Sequence, residues 1–209
     1  MALVKYNNNS ISAITTAGTV ASGAMVLIKS QTASSSSSIS FVHGTSDVVL
    51  DSTYPIYKFE FINIHPATAT AELQFQANAD GATGFNETMT TSVFQTFHYE
   101  DDSYTSLNYR TSHDQAQGTS YQSISEDLTD DADGCCSGEL FLFAPSSGTY
   151  VKHFISTVTT HGHDSTRFTD TKYVSGYFNV TTAIDEIDFK LSTGNMDSGK
   201  IKLYGLKDS

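Results

Sequence analysis

Tryptophan is absent from this chain, cysteine occurs only twice, and 11 basic residues stand against 23 acidic ones. Each shortage excludes something. Trp is the usual sugar-stacking residue of polysaccharide-cleaving enzymes, and its absence weighs against that class. Cys135 and Cys136 are neighbours in a loop-like stretch, where a mutual disulfide is strained, so no disulfide framework defines the fold. A reduced pair or a bond to another subunit is the expectation, and it suits assembly in a reducing cytoplasm. A formal charge of −12 repels a phosphate backbone, and the Lys and Arg residues are scattered, so nucleic acid is not the expected partner. No apolar run is long enough to cross a bilayer, so membrane insertion is not expected. Met1 to Lys5 is followed by the polar stretch Asn7 to Ser12, not by the apolar core of a secretory leader.

Catalytic signatures are also missing. Nucleophile elbows, phosphate loops, zinc-peptidase helices and dinucleotide fingerprints do not occur in their required contexts. Glycosidases have no short obligatory motif and need only two suitably separated carboxylates. Asp101, Asp102, Asp131 and Asp133 are the acidic, loop-borne candidates for such a role. The run Asp127, Asp130, Asp131, Asp133, Gly134 resembles part of a calcium loop, but Thr129 stands at its opening position and Leu140 at its closing one. It reads as a solvated acidic loop, as does Glu100 to Asp102. His153, His161 and His163, even with the two cysteines, lack the ordered spacing of a structural zinc site. No catalytic residue, metal or cofactor is assigned, and the chain reads as a non-enzyme. The sequons at Asn86 and Asn179 matter only in a secreted eukaryotic protein, a context nothing else suggests.

What is present is β-forming material. The charged fraction is 16%, aromatics reach 11%, and most remaining polarity comes from Ser, Thr, Asn and Gln. Residues 1–23 look different from the rest: they offer little to bury, and their apolar residues are irregularly spaced. They read as an extended arm, with Leu3, Val4, Tyr6, Ile11 and Ile14 as contacts to a neighbouring surface; a frayed terminus is the generic alternative. Residues 24–209 form one domain. Strand-like runs are expected at Met25–Ser30, Ser38–Val42, Asp47–Leu50, Ile56–Ile64, Ala71–Ala77 and Ser92–Tyr99. They continue at Ser106–Arg110, Glu139–Phe143, Tyr150–Thr159, Tyr173–Val180, Ile184–Leu191 and Lys200–Leu206. The serine tract from Ser34 to Ser38 reads as a hairpin connection.

Alternation is clearest at the end of the chain. Ile187, Phe189 and Leu191 share one face opposite Glu186, Asp188 and Lys190, and Ile201 and Leu203 alternate with Lys200 and Lys202. The two runs are expected to pair antiparallel, acidic face against lysines, with the five apolar residues inside. Tyr57, Phe59 and Phe61 share a face of an earlier strand. Leu140 to Phe143 is apolar on both faces, as for a central strand covered by a second layer. A single short helix is conceivable at Ser120–Leu128, where Tyr121, Ile124 and Leu128 fall at helical spacing, with an irregular loop as the alternative. The pattern as a whole predicts an all-β antiparallel sandwich. Tyr99, Tyr104, Tyr109 and Tyr121 lie among Asp, Ser, Asn and Gln and are candidate glycan contacts; half-buried packing is the competing reading of each.

Three segments carry a family resemblance: Met1 to Ser12, Asp47 to Pro66, and the ending Gly199 to Lys207, with its Leu-Tyr-Gly-Leu-Lys. They resemble uncharacterised structural proteins of tailed bacteriophages, especially marine ones. The resemblance implies a jelly-roll virion component, either a tail-associated fibre or adhesin subunit or a capsid decoration protein, and brings no catalytic residues. It further implies assembly in the bacterial cytoplasm, attachment through residues 1–23, and symmetric homo-oligomers of three-fold or higher multiplicity in contact with other virion proteins. A host surface glycan is a conceivable additional partner. The alternatives are a free-standing carbohydrate-binding module and, behind it, a polysaccharide hydrolase.

Overall fold

The computed structural model describes residues 24–163 and 166–208. The expected arm, with Leu3, Val4, Tyr6, Ile11 and Ile14, lies outside the described residues. Twelve β-strands and no helix occur among the residues described: β1 (Met25–Thr32), β2 (Ile39–Val42), β3 (Ile56–Pro66), β4 (Leu73–Ala79), β5 (Met89–Tyr99), β6 (Thr105–Tyr109), β7 (Gln122–Ser123), β8 (Cys136–Phe143), β9 (Lys152–His163), β10 (Arg167–Phe178), β11 (Ile184–Leu191) and β12 (Met196–Leu206). They form a β-sandwich of two antiparallel sheets. The large sheet runs β1-β12-β3-β8-β9-β10-β5-β6 and the small one β2-β11-β4-β7.

The pairing is nested. β1 pairs with β12, β2 with β11, β3 with β8 and β4 with β7, so the chain doubles back on itself as one long ribbon folded into two layers. The pairs β5–β6 and β9–β10 interrupt this ribbon and pair with each other through β10 and β5. They widen one sheet only, to eight strands.

Inward positions follow the alternation in the sequence. Ile187, Phe189, Leu191, Ile201 and Leu203 are all buried, as are Tyr57, Phe59 and Phe61. Phe189 is the hub, with ring centroids 5.1 Å from Phe59, 5.2 Å from Phe61 and 6.3 Å from Phe41. Each such side chain contributes roughly 1.5–3 kcal/mol on burial, so this aromatic seam is what joins the layers.

The last two strands do not pair, contrary to expectation. β11 lies in the small sheet and β12 in the large one, and across the core Phe189 of β11 meets Phe59 and Phe61 of β3, the strand beside β12. As a hairpin their two apolar faces would lie side by side and still need a covering layer; in separate sheets, each faces the opposite layer. Lys202 instead stands beside Glu60 of β3, at 3.8 Å, and Asp188 accepts hydrogen bonds from Ser40 and Tyr121. Similarly, Ser34 to Ser38 carries the chain between sheets rather than closing a hairpin, since β1 and β2 are in different layers.

One further expectation changes, and one open alternative is decided. Asp47–Leu50 is loop: Ser46 and Asp47 hold φ of 51° and 66°, which breaks the extended chain, although Val48 and Leu50 still plug the core. Ser120–Leu128 is not helical. Its backbone is engaged by β4 instead, with the Ile124 and Leu128 amides donating to Leu73 and Ala71 carbonyls. Ile124 and Leu128 are buried there because the segment lids the widened part of the sandwich.

Candidate functional site

The added strands create two features that the nested ribbon alone lacks. The first lies inside. On β10 the residues in phase with the core residues Phe168, Val174 and Phe178 are Asp170 and Lys172, so sheet geometry drives a carboxylate and an ammonium inward. Residues 110–129 close over them.

Lys172 is fully buried and its ammonium is satisfied by Glu126 Oε2 at 2.7 Å, Ser123 Oγ at 3.2 Å, the Ser125 carbonyl and His113 Nδ1 at 2.9 Å. Because an ammonium only donates, His113 Nδ1 accepts, while the Arg110 guanidinium stands 3.3 Å from Nε2 on the other side of the ring. Burial, and then the neighbouring Lys172, hold the His113 pKa below its ordinary value, consistent with a neutral ring. Arg110 donates to Glu126 Oε1 at 3.1 Å. Gln95, its amide oriented to donate to Glu126 and accept from Arg110, completes the circuit at 3.0 and 3.2 Å. Asp170, opposite Thr160 of β9, is buried with neither carboxylate oxygen hydrogen-bonded, and burial pushes its pKa up to about 7.

Glu72, His113 and Glu126 bring three ligand-type atoms within 4.8 Å of one another, the one such grouping among the described residues. They do not fit a metal ion well. The Lys172 ammonium already bonds both Glu126 and His113 Nδ1, supplying the positive charge that a cation would bring.

The network reaches solvent in a cleft of 320 Å³ between the inner side of the β5–β6 hairpin, whose turn end carries Tyr99 and Tyr104, the start of β10 and the covering segment. Arg110, Glu126 and Asp127 line its polar side. Tyr99, Tyr104 and Phe168 make an aromatic wall, with Tyr99 centroids 5.3 Å from Tyr104 and 5.9 Å from Phe168, the latter stacked. Phe168 lies over Gly162, where a Cβ would overlap its ring. Phe97 and Asn108 complete the lining. Asp127 is half-buried, and its carboxylate has no hydrogen-bond partner among the described residues; burial, then Glu126, raise its pKa.

Of the four tyrosines singled out from sequence, the structure thus brings Tyr99 and Tyr104 together. Tyr109 is exposed on β6 and bonded to Asp114, outside this cleft. Tyr121 lines a separate one beside Glu72 and His113, bonded to Asp188 with Lys190 over its ring. The loop carboxylates do not converge. Asp101 bonds Ser103 in its own turn, Asp102 meets His98, Asp131 pairs with Arg167 at 2.8 Å, and Asp133 is exposed. Cys135 and Cys136 are free, the latter buried at the start of β8. Arg110, His113, Glu126 and Lys172 were not anticipated. The signal for Lys172 was there, in its phase with Val174 and Phe178.

The second feature is outside. The outward positions of β9 from His153 to His161, of β10 from Thr169 to Tyr177 and of β5 from Thr90 to His98 include no Asp, Glu, Lys or Arg. Phe94 and Tyr173 stack there at 4.7 Å, and Phe94, Tyr173, Ile155, Leu107 and Tyr109 are exposed. The other half of the same surface is ionic, with Lys58 between Glu139 and Glu60 and Lys202 beside Glu60.

Comparison with protein-family models, with curated proteins and with solved structures found no match.

Proposed function

We propose that this chain is a non-enzymatic, jelly-roll virion protein of a tailed bacteriophage, displayed as a homo-oligomer in the tail or as a capsid decoration. The jelly-roll reading is supported by the four nested pairs, β1–β12, β2–β11, β3–β8 and β4–β7, which are the eight strands of such a fold with β5–β6 and β9–β10 as insertions. The observation that carries the assembly role is the uncharged outer face of the inserted strands. In a chain of charge −12, like copies repel nearly everywhere, and a face of Thr, Ser and aromatic residues is where they can approach closely. The occupant of that face is a second copy of the chain.

Sedimentation of the purified full chain tests this. The expected result is an oligomer that Phe94→Asp or Tyr173→Asp dissociates without lowering the melting temperature. A monomer at all concentrations, or an oligomer indifferent to both changes, overturns the assembly role. The virion assignment is tested separately, by antibody labelling of intact particles and by a chain starting at Ala24, which is expected to be lost from them. Incorporation of the truncated chain at normal occupancy would refute anchoring through residues 1–23.

A further inference from the structure

We infer that the cleft between Tyr104 and Asp127 is a binding site for a neutral or N-acetylated sugar. The argument starts from charge. Glu126 and Asp127 disfavour an anionic ligand, and the Arg110 guanidinium at the same wall disfavours a cationic one. What remains is an uncharged group able both to donate to carboxylates and to accept from a guanidinium, which describes a sugar hydroxyl. The aromatic wall of Tyr99, Tyr104 and Phe168 supplies the flat apolar surface that a pyranose ring's C–H face covers.

The polar groups are held in place before any ligand arrives. Arg110 and Glu126 are locked by Lys172 and Gln95 from behind, so binding need not order them. Asp127 is the group with unused acceptor capacity. The cleft, at 320 Å³, sits at the small end of the ~300–1,000 Å³ typical of ligand sites, which suits a mono- or disaccharide and not a folded partner. The site is independent of the uncharged outer face, and its test uses purified protein without particles.

Saturation-transfer NMR and calorimetry with maltose, lactose, cellobiose, N,N′-diacetylchitobiose, digalacturonate and trilysine decide the matter. At least one neutral or N-acetylated disaccharide is expected to bind, with affinity at least tenfold weaker in both Tyr104→Ala and Asp127→Asn and unchanged in Phe94→Ser. Tyr104 is 46% exposed, so its truncation should leave the melting temperature intact and separate lost binding from lost folding. Binding of none of the probes, binding of digalacturonate or trilysine alone, or binding indifferent to Tyr104→Ala and Asp127→Asn overturns the assignment.

Discussion

Asp170 is the residue whose environment is least forgiving. Its carboxyl is buried without a hydrogen bond, and its pKa stands at about 7 against an ordinary 3.8, with burial the main cause. A folded-state pKa above the unfolded one means that the native state holds the proton more tightly. The stability this gives is complete at low pH and is lost as pH rises from about 4 through 7. Asp170→Asn removes the ionisation, so urea denaturation should show the variant gaining on the native chain between pH 5 and pH 8, by about 1–3 kcal/mol. Parallel stability profiles across that range would mean that Asp170 is better solvated than its burial indicates. Lys172 poses the opposite problem, a buried charge that is fully partnered. Replacing it with Met leaves Glu126 short of a partner and His113 Nδ1 without a donor, at a cost of about 3 kcal/mol. Adding Glu126→Gln to that variant should recover part of the loss in the same measurement.

At the scale of the strand, β11 and β12 show how a correct face can accompany a wrong neighbour. Alternation identified Ile187, Phe189, Leu191, Ile201 and Leu203 as buried, and each is. It carried no information on whether two amphipathic strands share one sheet or belong to opposite sheets, since both arrangements bury the same residues. The partners of their polar faces tell the two apart. A double-mutant cycle between Lys202 and Glu60 should give a coupling of about 0.2–1 kcal/mol, and one between Lys202 and Asp188 none. Coupling only in the second cycle would contradict the strand order. Residues 120–128 make a related point. Tyr121, Ile124 and Leu128 match a helix by spacing, yet the backbone bonds of Ile124 and Leu128 to Leu73 and Ala71, more than 50 positions back in the chain, set the conformation of the segment.

Across the whole molecule, charge is segregated. The nested strands carry the ion pairs around Lys58, Glu60, Glu139 and Lys202, and the added strands carry an uncharged outer face above an ionic interior. If copies meet through that face, the −12 charge opposes association only through long-range repulsion. Sedimentation at 10 and 300 mM salt should then show association strengthened by salt, since the Debye length shortens from about 30 Å to well under 10 Å. Association weakened by salt would place the contact on the ionic half instead. A sugar bound at the Tyr104 cleft should leave this equilibrium unchanged.

The sequence by itself determined the class of fold, most of the strands and the inward faces, because alternation with period two and burial of apolar side chains are local properties of the chain. Tyr57, Phe59 and Phe61 needed no other information. Only the tertiary structure decided which strands are neighbours, and with that the site. Tyr99 and Tyr104 were visible as candidates, but Arg110, Glu126 and Lys172 are scattered over more than 60 positions and meet only because β10 pairs with β5 and residues 110–129 fold across both. Pairing energies depend on backbone hydrogen bonds that every residue except proline can make, so they leave little mark on the identity of the side chains.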